Sequence, residues 1–260
     1  MFYSLYQEPN IDYWNKVARH VARYFRKTPV DELPHNNYDA RDWLKNYFFE
    51  LDWFAAYDLT EFIVHNHRTM TTIQHSGYPD FMHQVDVQRL IQLVNYVLEQ
   101  ELSGYRFIQE ILTPISNKEE VEAIEASAAA AQNSGLRGAH HHIQSALELF
   151  GKKPTPDYRN AIKEAISAVE SVAKQISEKD SATLDPALKK LSEKTDIHAA
   201  LRSGFSKLYG YTSDEKGIRH ALLDEPNVGF AEAKYMIVSC SAFVHYLIQK
   251  ADAANLLRTK

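Results

Sequence analysis

The apolar run from Val228 to Leu247 limits what this chain can fold into more than any other stretch. At roughly 20 residues it is long enough to cross a bilayer as a helix. Glu232, Lys234, His245, Gln249 and Lys250 interrupt or bound it, however, and Ala233, Met236, Ile237, Cys240, Phe243 and Leu247 recur at every third or fourth place. That period belongs to a helix laid on a protein core. A second stripe, Tyr158, Ile162, Ile166, Val169, Val172 or Ala173, and Ile176, predicts the clearest amphipathic helix in the chain over Asp157 to Ser177, with Asp157 as its cap. The expected fold is therefore mostly α, with a core helix near the end of the chain and no membrane span.

With 260 residues, 45% of them hydrophobic, the chain can bury one large core or two modest ones, and two packed units are expected. The net charge of -5 is uneven: residues 1–116 hold 10 Lys and Arg against 15 Asp and Glu, and residues 117–260 hold 19 against 19. Neither half has the positive field of a protein that grips duplex nucleic acid by its phosphates, so any such contact must be local. The lone cysteine, Cys240, cannot form an internal disulfide and fits core packing in a reducing cytosol. The opening MFYSLYQEPNIDYW has no basic cap and no unbroken apolar run, so no signal peptide is expected and the protein is placed in the cytoplasm.

Taken in order, residues 11–27 predict a helix with Trp14, Val17, Val21, Tyr24 and Phe25 on one side and Lys16, Arg19, Arg23, Arg26 and Lys27 on the other. The basic face could touch RNA; the plainer reading is a solvated face or one paired with an acidic neighbour. The polar run Leu33-Pro34-His35-Asn36-Asn37 ends the element. Residues 38–67 form one long helical region dense in aromatics (Trp43, Tyr47, Phe48, Trp53, Phe54, Tyr57, Phe62), which predicts burial on more than one side. His65, His67, His75 and His83 raise a metal site, but two His at i, i+2 point about 200° apart on a helix and no Cys or Asp cluster joins them. No metal and no cofactor is expected. Residues 85–102 resume the helical period, and Tyr105 to Ile108 and Ile111 to Ile115 predict a short hairpin around Gln109-Glu110.

Ser116 or Asn117 should cap a helix running to about Gln132, and Asn133-Ser134-Gly135 stops it. That break sets the expected boundary between an aromatic-rich helical domain with a small hairpin, residues 1–132, and a five- or six-helix bundle, residues 133–260. The bundle continues through helices at 136–150 and 157–177 and shorter ones at 184–191 and 198–208. Turn signals at Thr212-Ser213-Asp214 and Lys216-Gly217 then break the chain just before Arg219-His220, which puts those two side chains at the start of an element.

The phrases YGYTSDEKGIRHALLDEPN, DYRNAIKEAISAVES and EAKYMIVSCSAFVHYLI resemble the AbiJ-type abortive-infection family, whose carboxy-terminal half is a HEPN-like helical domain. The resemblance extends weakly through LDWFAAYDLTEFIV and ELSGYRFIQEILTPI, so it covers most of the chain. It implies an antiphage abortive-infection protein and a metal-independent endoribonuclease acting on RNA as a homodimer, with a defence-system protein as a further partner. HEPN ribonucleases pair an Arg, usually followed by a polar residue, with a His separated from it by four to six residues. A fixed cation holds the scissile phosphate while an imidazole moves the proton as the ribose 2′-hydroxyl attacks.

The resemblance points to Arg219-His220, but four to six intervening residues after Arg219 lead to Asp224, Glu225 and Pro226, so the terminal His is missing. Either His220 or a carboxylate such as Asp224 moves the proton, or the site no longer cuts. The alternative is a non-catalytic HEPN-like sensor or binding module that recruits a partner, RNA or a nucleotide. Spacing alone is weak: with 12 His and as many Arg, roughly 1.6 such matches arise by chance, and the chain has two, Arg68 to His75 and Arg137 to His142. His140, His141 and His142 cannot all reach one metal from one helix and read as solvent-facing. At the start of the 157–177 helix, Arg159 and Asn160 could hold an anion, or could simply cap and pair locally. If the bundle packs as the resemblance implies, Arg159, Asn160, Glu164, Tyr209, Tyr211, Arg219 and His220 line one polar patch.

Overall fold

The structure is a computed structural model that describes residues 13–71, 87–177, 184–213 and 228–257. It is mostly helical, with one two-stranded hairpin among the described residues. The chain divides into two compact units, Met1–Leu112 and Thr113–Lys260.

In the first unit α1 (Tyr13–His20) runs into a π-helical turn, Val21–Arg26, that stops at Lys27 in the left-handed region (φ 57°), its N–H on the Ala22 carbonyl. α2 (Asn37–Glu50), α3 (Trp53–Thr71) and α4 (Val87–Gln100) follow, then β1 (Arg106–Ile108) and β2 (Ile111–Thr113). The expected single helix over 38–67 is two. Leu51 turns extended (ψ 145°), and the chain restarts at Asp52, whose carbonyl accepts the Ala56 N–H. The polar run before α2 is likewise more than a break. The Asn36 side chain accepts the Asp39 N–H at 2.9 Å and caps α2, while the Asn37 carboxamide oxygen reaches back to the N–H groups of Trp14 (2.7 Å) and Asn15 (3.2 Å) at the open end of α1.

Trp14, Val17, Ala18 and Val21 are buried against Ala40, Leu44, Leu59 and Met70. A second cluster joins Val64 and the α4 stripe Val87, Leu90, Ile91 and Val94 to Phe107 and Leu112 of the hairpin. The aromatics of α2 and α3 sit at the edges of these clusters: Trp43, Tyr47, Phe48 and Phe62 are partly buried, and Trp53 is 58% exposed. The hairpin forms where expected, with Gln109 at φ 57° in its turn.

The second unit holds α5 (Lys118–Asn133), α6 (Arg137–Gly151), α7 (Tyr158–Ser177), α8 (Leu184–Lys194), α9 (Ala199–Ser213) and α10 (Phe230–Ala253). Asn117 caps α5 by accepting the Glu120 N–H at 2.9 Å. α5, which precedes the break at Asn133-Ser134-Gly135, packs on α6 and α10 through Ile124, Ser127, Ala128 and Ala131. Glu120 binds Lys234 of α10 at 2.9 Å. α7 is the centre of the bundle: its stripe Ile162, Ile166, Val169, Val172, Ala173 and Ile176 is buried, and α6, α8 and α10 pack on it.

No helix among the described residues is long and apolar enough to cross a membrane. α10 instead buries Ala233, Met236, Ile237, Cys240, Phe243 and Leu247, the period read from the sequence. Burial pushes the Cys240 thiol up to about 12, so almost no thiolate forms near neutrality. Native protein at pH 8 is expected to leave Cys240 unalkylated by iodoacetamide over hours and to react within minutes once unfolded in urea. Mass spectrometry reads both, and rapid labelling of the native state would contradict the burial.

Candidate functional site

Arg219, His220 and Asp224 lie outside the described residues, as do His75 and His83, and the side chain of Tyr211 does too. Tyr211 belongs to the last turn of α9, so Tyr209 and Tyr211 end a helix rather than begin a loop. The remaining candidates sit on or against α7.

Asp157 caps α7 as expected. Its carboxylate accepts the Asn160 N–H at 3.1 Å and the Asn160 side-chain amide at 2.7 Å. The end of α7 that could receive an anion thus already faces a carboxylate, and Asn160 is engaged by it. Glu164, one turn further, accepts from Nδ1 of His142 on α6 at 2.7 Å, each side chain about a third exposed. A carboxylate only accepts, so Nδ1 carries the proton and Nε2 of a neutral ring keeps its lone pair. This is the arrangement that readies an imidazole to take a proton from a bound hydroxyl.

Tyr209 donates its hydroxyl hydrogen to Glu170 of α7. Positions 164 and 170 are about 120° apart around a helix, so the two glutamates serve different flanks: Glu164 faces α6 and Glu170 faces α9. Arg159 is eleven residues before Glu170 and lies within about 20° of it in helical projection, on the Tyr209 flank rather than the His142 flank. Two separate contacts thus form on α7, Glu164 with His142 and Glu170 with Tyr209, and Arg159, near the start of the helix, lies about 16 Å along its axis from Glu170.

Arg137 does not accompany His142. It lines an open cleft of about 740 Å³ formed by the turn between α5 and α6 with Ser171, Gln175 and Asp252. Of the His triplet, His141 is exposed, His140 is half-buried and His142 is held by Glu164. α6 and α7 approach closely at Gly138, where an added Cβ would come within 2.7 Å of the Ser171 hydroxyl oxygen. The His142–Glu164 pair went unread because its members are 22 positions apart, and no local spacing joins them. His65 donates from Nε2 to the Glu110 carbonyl at 2.6 Å, His67 is buried, and no group of three or more His, Cys, Asp and Glu among the described residues could hold a metal.

Fold and side chains define a mostly α protein with one small hairpin and, on its second unit, an imidazole steadied by a carboxylate. Residues 1–130 match the family described as AbiJ N-terminal domain 4, and the chain belongs to that family. It is thus an AbiJ-type protein, of the abortive-infection class. No curated protein and no solved structure matches the chain.

Proposed function

We propose that the protein is a cytoplasmic antiphage effector whose second unit is a HEPN-like bundle that cleaves RNA without a metal, as a homodimer and alongside a defence-system partner. The observation that carries this beyond family membership is the His142–Glu164 contact, a positioned and partly exposed imidazole on the bundle. In the reaction, a ribose 2′-oxygen loses its proton to a base and attacks the adjacent phosphorus; the 5′-oxygen leaves with a proton from an acid, and a 2′,3′-cyclic phosphate remains. Arg219 holds the scissile phosphate, and His220, with Asp224 as the carboxylate alternative, moves the proton. Arg159, Asn160, Glu164, Tyr209 and Tyr211 position the strand. His142 is the second candidate base, since its Nε2 is the nitrogen left to act.

Purified protein is expected to cut tRNA or mRNA in excess EDTA and leave cyclic-phosphate ends. Arg219→Ala should lower the rate by about 10²- to 10³-fold, the range for losing one donor to transition-state charge, and His220→Ala by about 10²- to 10⁴-fold, the range for losing a proton-transfer group, and each should abolish phage protection. Loss with His142→Ala but not His220→Ala assigns the base to the α6–α7 pair. RNA left intact by the wild-type protein, with both Arg219→Ala and His220→Ala still protecting, would sink cleavage. Co-purified RNA or nucleotide would then mark the non-catalytic sensor.

A further inference from the structure

Among the described residues, no carboxylate forms an ion pair with the basic face of α1 and its π-helical turn. No Asp or Glu occurs between Asp12 and Asp31, while Lys16, Arg19, Arg23 and Arg26 follow one another at three- and four-residue steps, with Lys27 next to Arg26. Arg19 is tied to the Asn15 side chain at 2.6 Å. Among the described residues no carboxylate pairs with Lys16, Arg23, Arg26 or Lys27. The two arginines lie on rings instead. Arg23 sits 5.6 Å from the centre of Tyr24, and Arg26 lies 4.8 Å from Tyr47 and 5.6 Å from Trp43, which stack on each other. Tyr24 is 54% exposed, an unusual place for a ring in the midst of cations.

A merely solvated face mixes charges of both signs along a helix. Here both arginine side chains are ordered by aromatic contact, which lowers the entropy lost when a ligand arrives and leaves the outer plane of each guanidinium open to stack. Positions one helical turn apart have Cβ atoms about 5–6 Å from each other, so these cations form a row that an extended anionic strand can follow. An acidic peptide would satisfy the cations and leave the ring and guanidinium planes without a role, whereas unpaired bases need flat faces to stack on. The π-helical turn fits the same reading, since such turns recur at functional positions.

We infer that α1, its π-helical turn and the facing side of α2 form a docking surface for single-stranded RNA. Arg23, Arg26 and Lys27 contact phosphates, and Tyr24 with the stacked guanidiniums receives bases. The surface belongs to the first unit and requires no bond breaking, so it goes beyond the cleavage reading and stands or falls separately.

The test uses the full chain and a fluorescein-labelled 15-nucleotide RNA with 2′-O-methyl sugars, which the proposed chemistry cannot cut, read by anisotropy at 50 and 200 mM salt. Wild-type protein should bind more weakly at the higher salt. Arg23→Glu with Arg26→Glu should weaken binding at least tenfold, while Arg23→Gln with Arg26→Gln should reduce the salt slope by about 1.4, the counterion release of two single-strand phosphates. Tyr24→Ala should cost between about 5- and 100-fold, and Lys118→Glu, an exposed reversal on the second unit, should change affinity less than twofold. Circular dichroism confirms that each variant keeps its helices; should the Glu pair unfold, the Gln pair and Tyr24→Ala carry the test. No wild-type binding, unchanged affinity in the variants that stay folded, or equal displacement by polyglutamate would overturn the proposal. Unmodified RNA of the same sequence that binds but is not cut would overturn only the cleavage reading.

Discussion

Asn95→Leu is expected to lower the stability of the first unit by about 2–4 kcal/mol, the penalty for stranding a buried donor and a buried acceptor together. A two-stranded sheet leaves one edge of each strand without a partner, and an isolated hairpin is marginal in water. α4 supplies what a third strand would have given. The Asn95 side chain accepts the Phe107 N–H at 2.7 Å and donates to the Phe107 carbonyl at 2.9 Å, while Phe107 is fully buried. On the other strand Glu61 of α3 accepts the Leu112 N–H at 2.9 Å. Leucine has the same branched four-atom side-chain skeleton as asparagine and opens no cavity, so the loss reports chiefly on the two hydrogen bonds. Urea unfolding gives the size, and hydrogen exchange gives the place: the Phe107 amide should lose its protection before the α1–α2 amides do. A urea midpoint equal to wild type, with Phe107 still protected, would mean the carboxamide is not what holds the strand.

Where one helical period dictates an element, the sequence was enough. The α7 stripe, the α10 stripe and the caps at Asp157 and Asn117 all depend on residues within a few positions of each other. The hairpin was legible for the same reason, although a left-handed Gln109 is a poor turn residue that tertiary anchoring from Asn95 and Glu61 makes tolerable. The break between α2 and α3 was missed because the aromatic density of the region hides a single extended residue, Leu51. Asn37 was read as a terminator because its real work, capping a helix 22 and 23 positions earlier, has no local signature.

The site follows the same rule. The sequence named His142, Glu164 and Tyr209 but assigned Glu164 and Tyr209 to one patch, whereas α7 turns Glu164 to His142 and Glu170 to Tyr209. Which flank a residue takes depends on which neighbours arrive on each side, and that is a long-range fact. The basic stripe shows the converse. Its charges were plain in the sequence, and only the absence of a described carboxylate partner and the rings beneath Arg23 and Arg26 separate a docking face from a solvated one.

Phe150→Ala should cost the second unit about 3–5 kcal/mol, in the range for deleting a fully buried aromatic ring from a packed core. Phe150 closes the last turn of α6 and is 0% exposed. Its ring lies 5.6 Å from Tyr158, the first residue of α7, and stacks at 5.3 Å on Phe230, the first residue of α10. One side chain therefore joins three helix ends, and its removal opens all three at once instead of leaving a cavity that one neighbour can fill. Phe150→Leu retains most of the apolar volume and should cost under about 1.5 kcal/mol. Tyr235→Ala, a ring on the same α10 but 59% exposed, should stay within about 0.5 kcal/mol of wild type. Chemical denaturation orders the three variants, and hydrogen exchange should place the Phe150→Ala loss in the ends of α6, α7 and α10. If alanine at position 150 costs no more than at 235, burial at that junction contributes nothing to the bundle, and the start of α10, ten residues after His220 in the chain, must be held by contacts other than this ring.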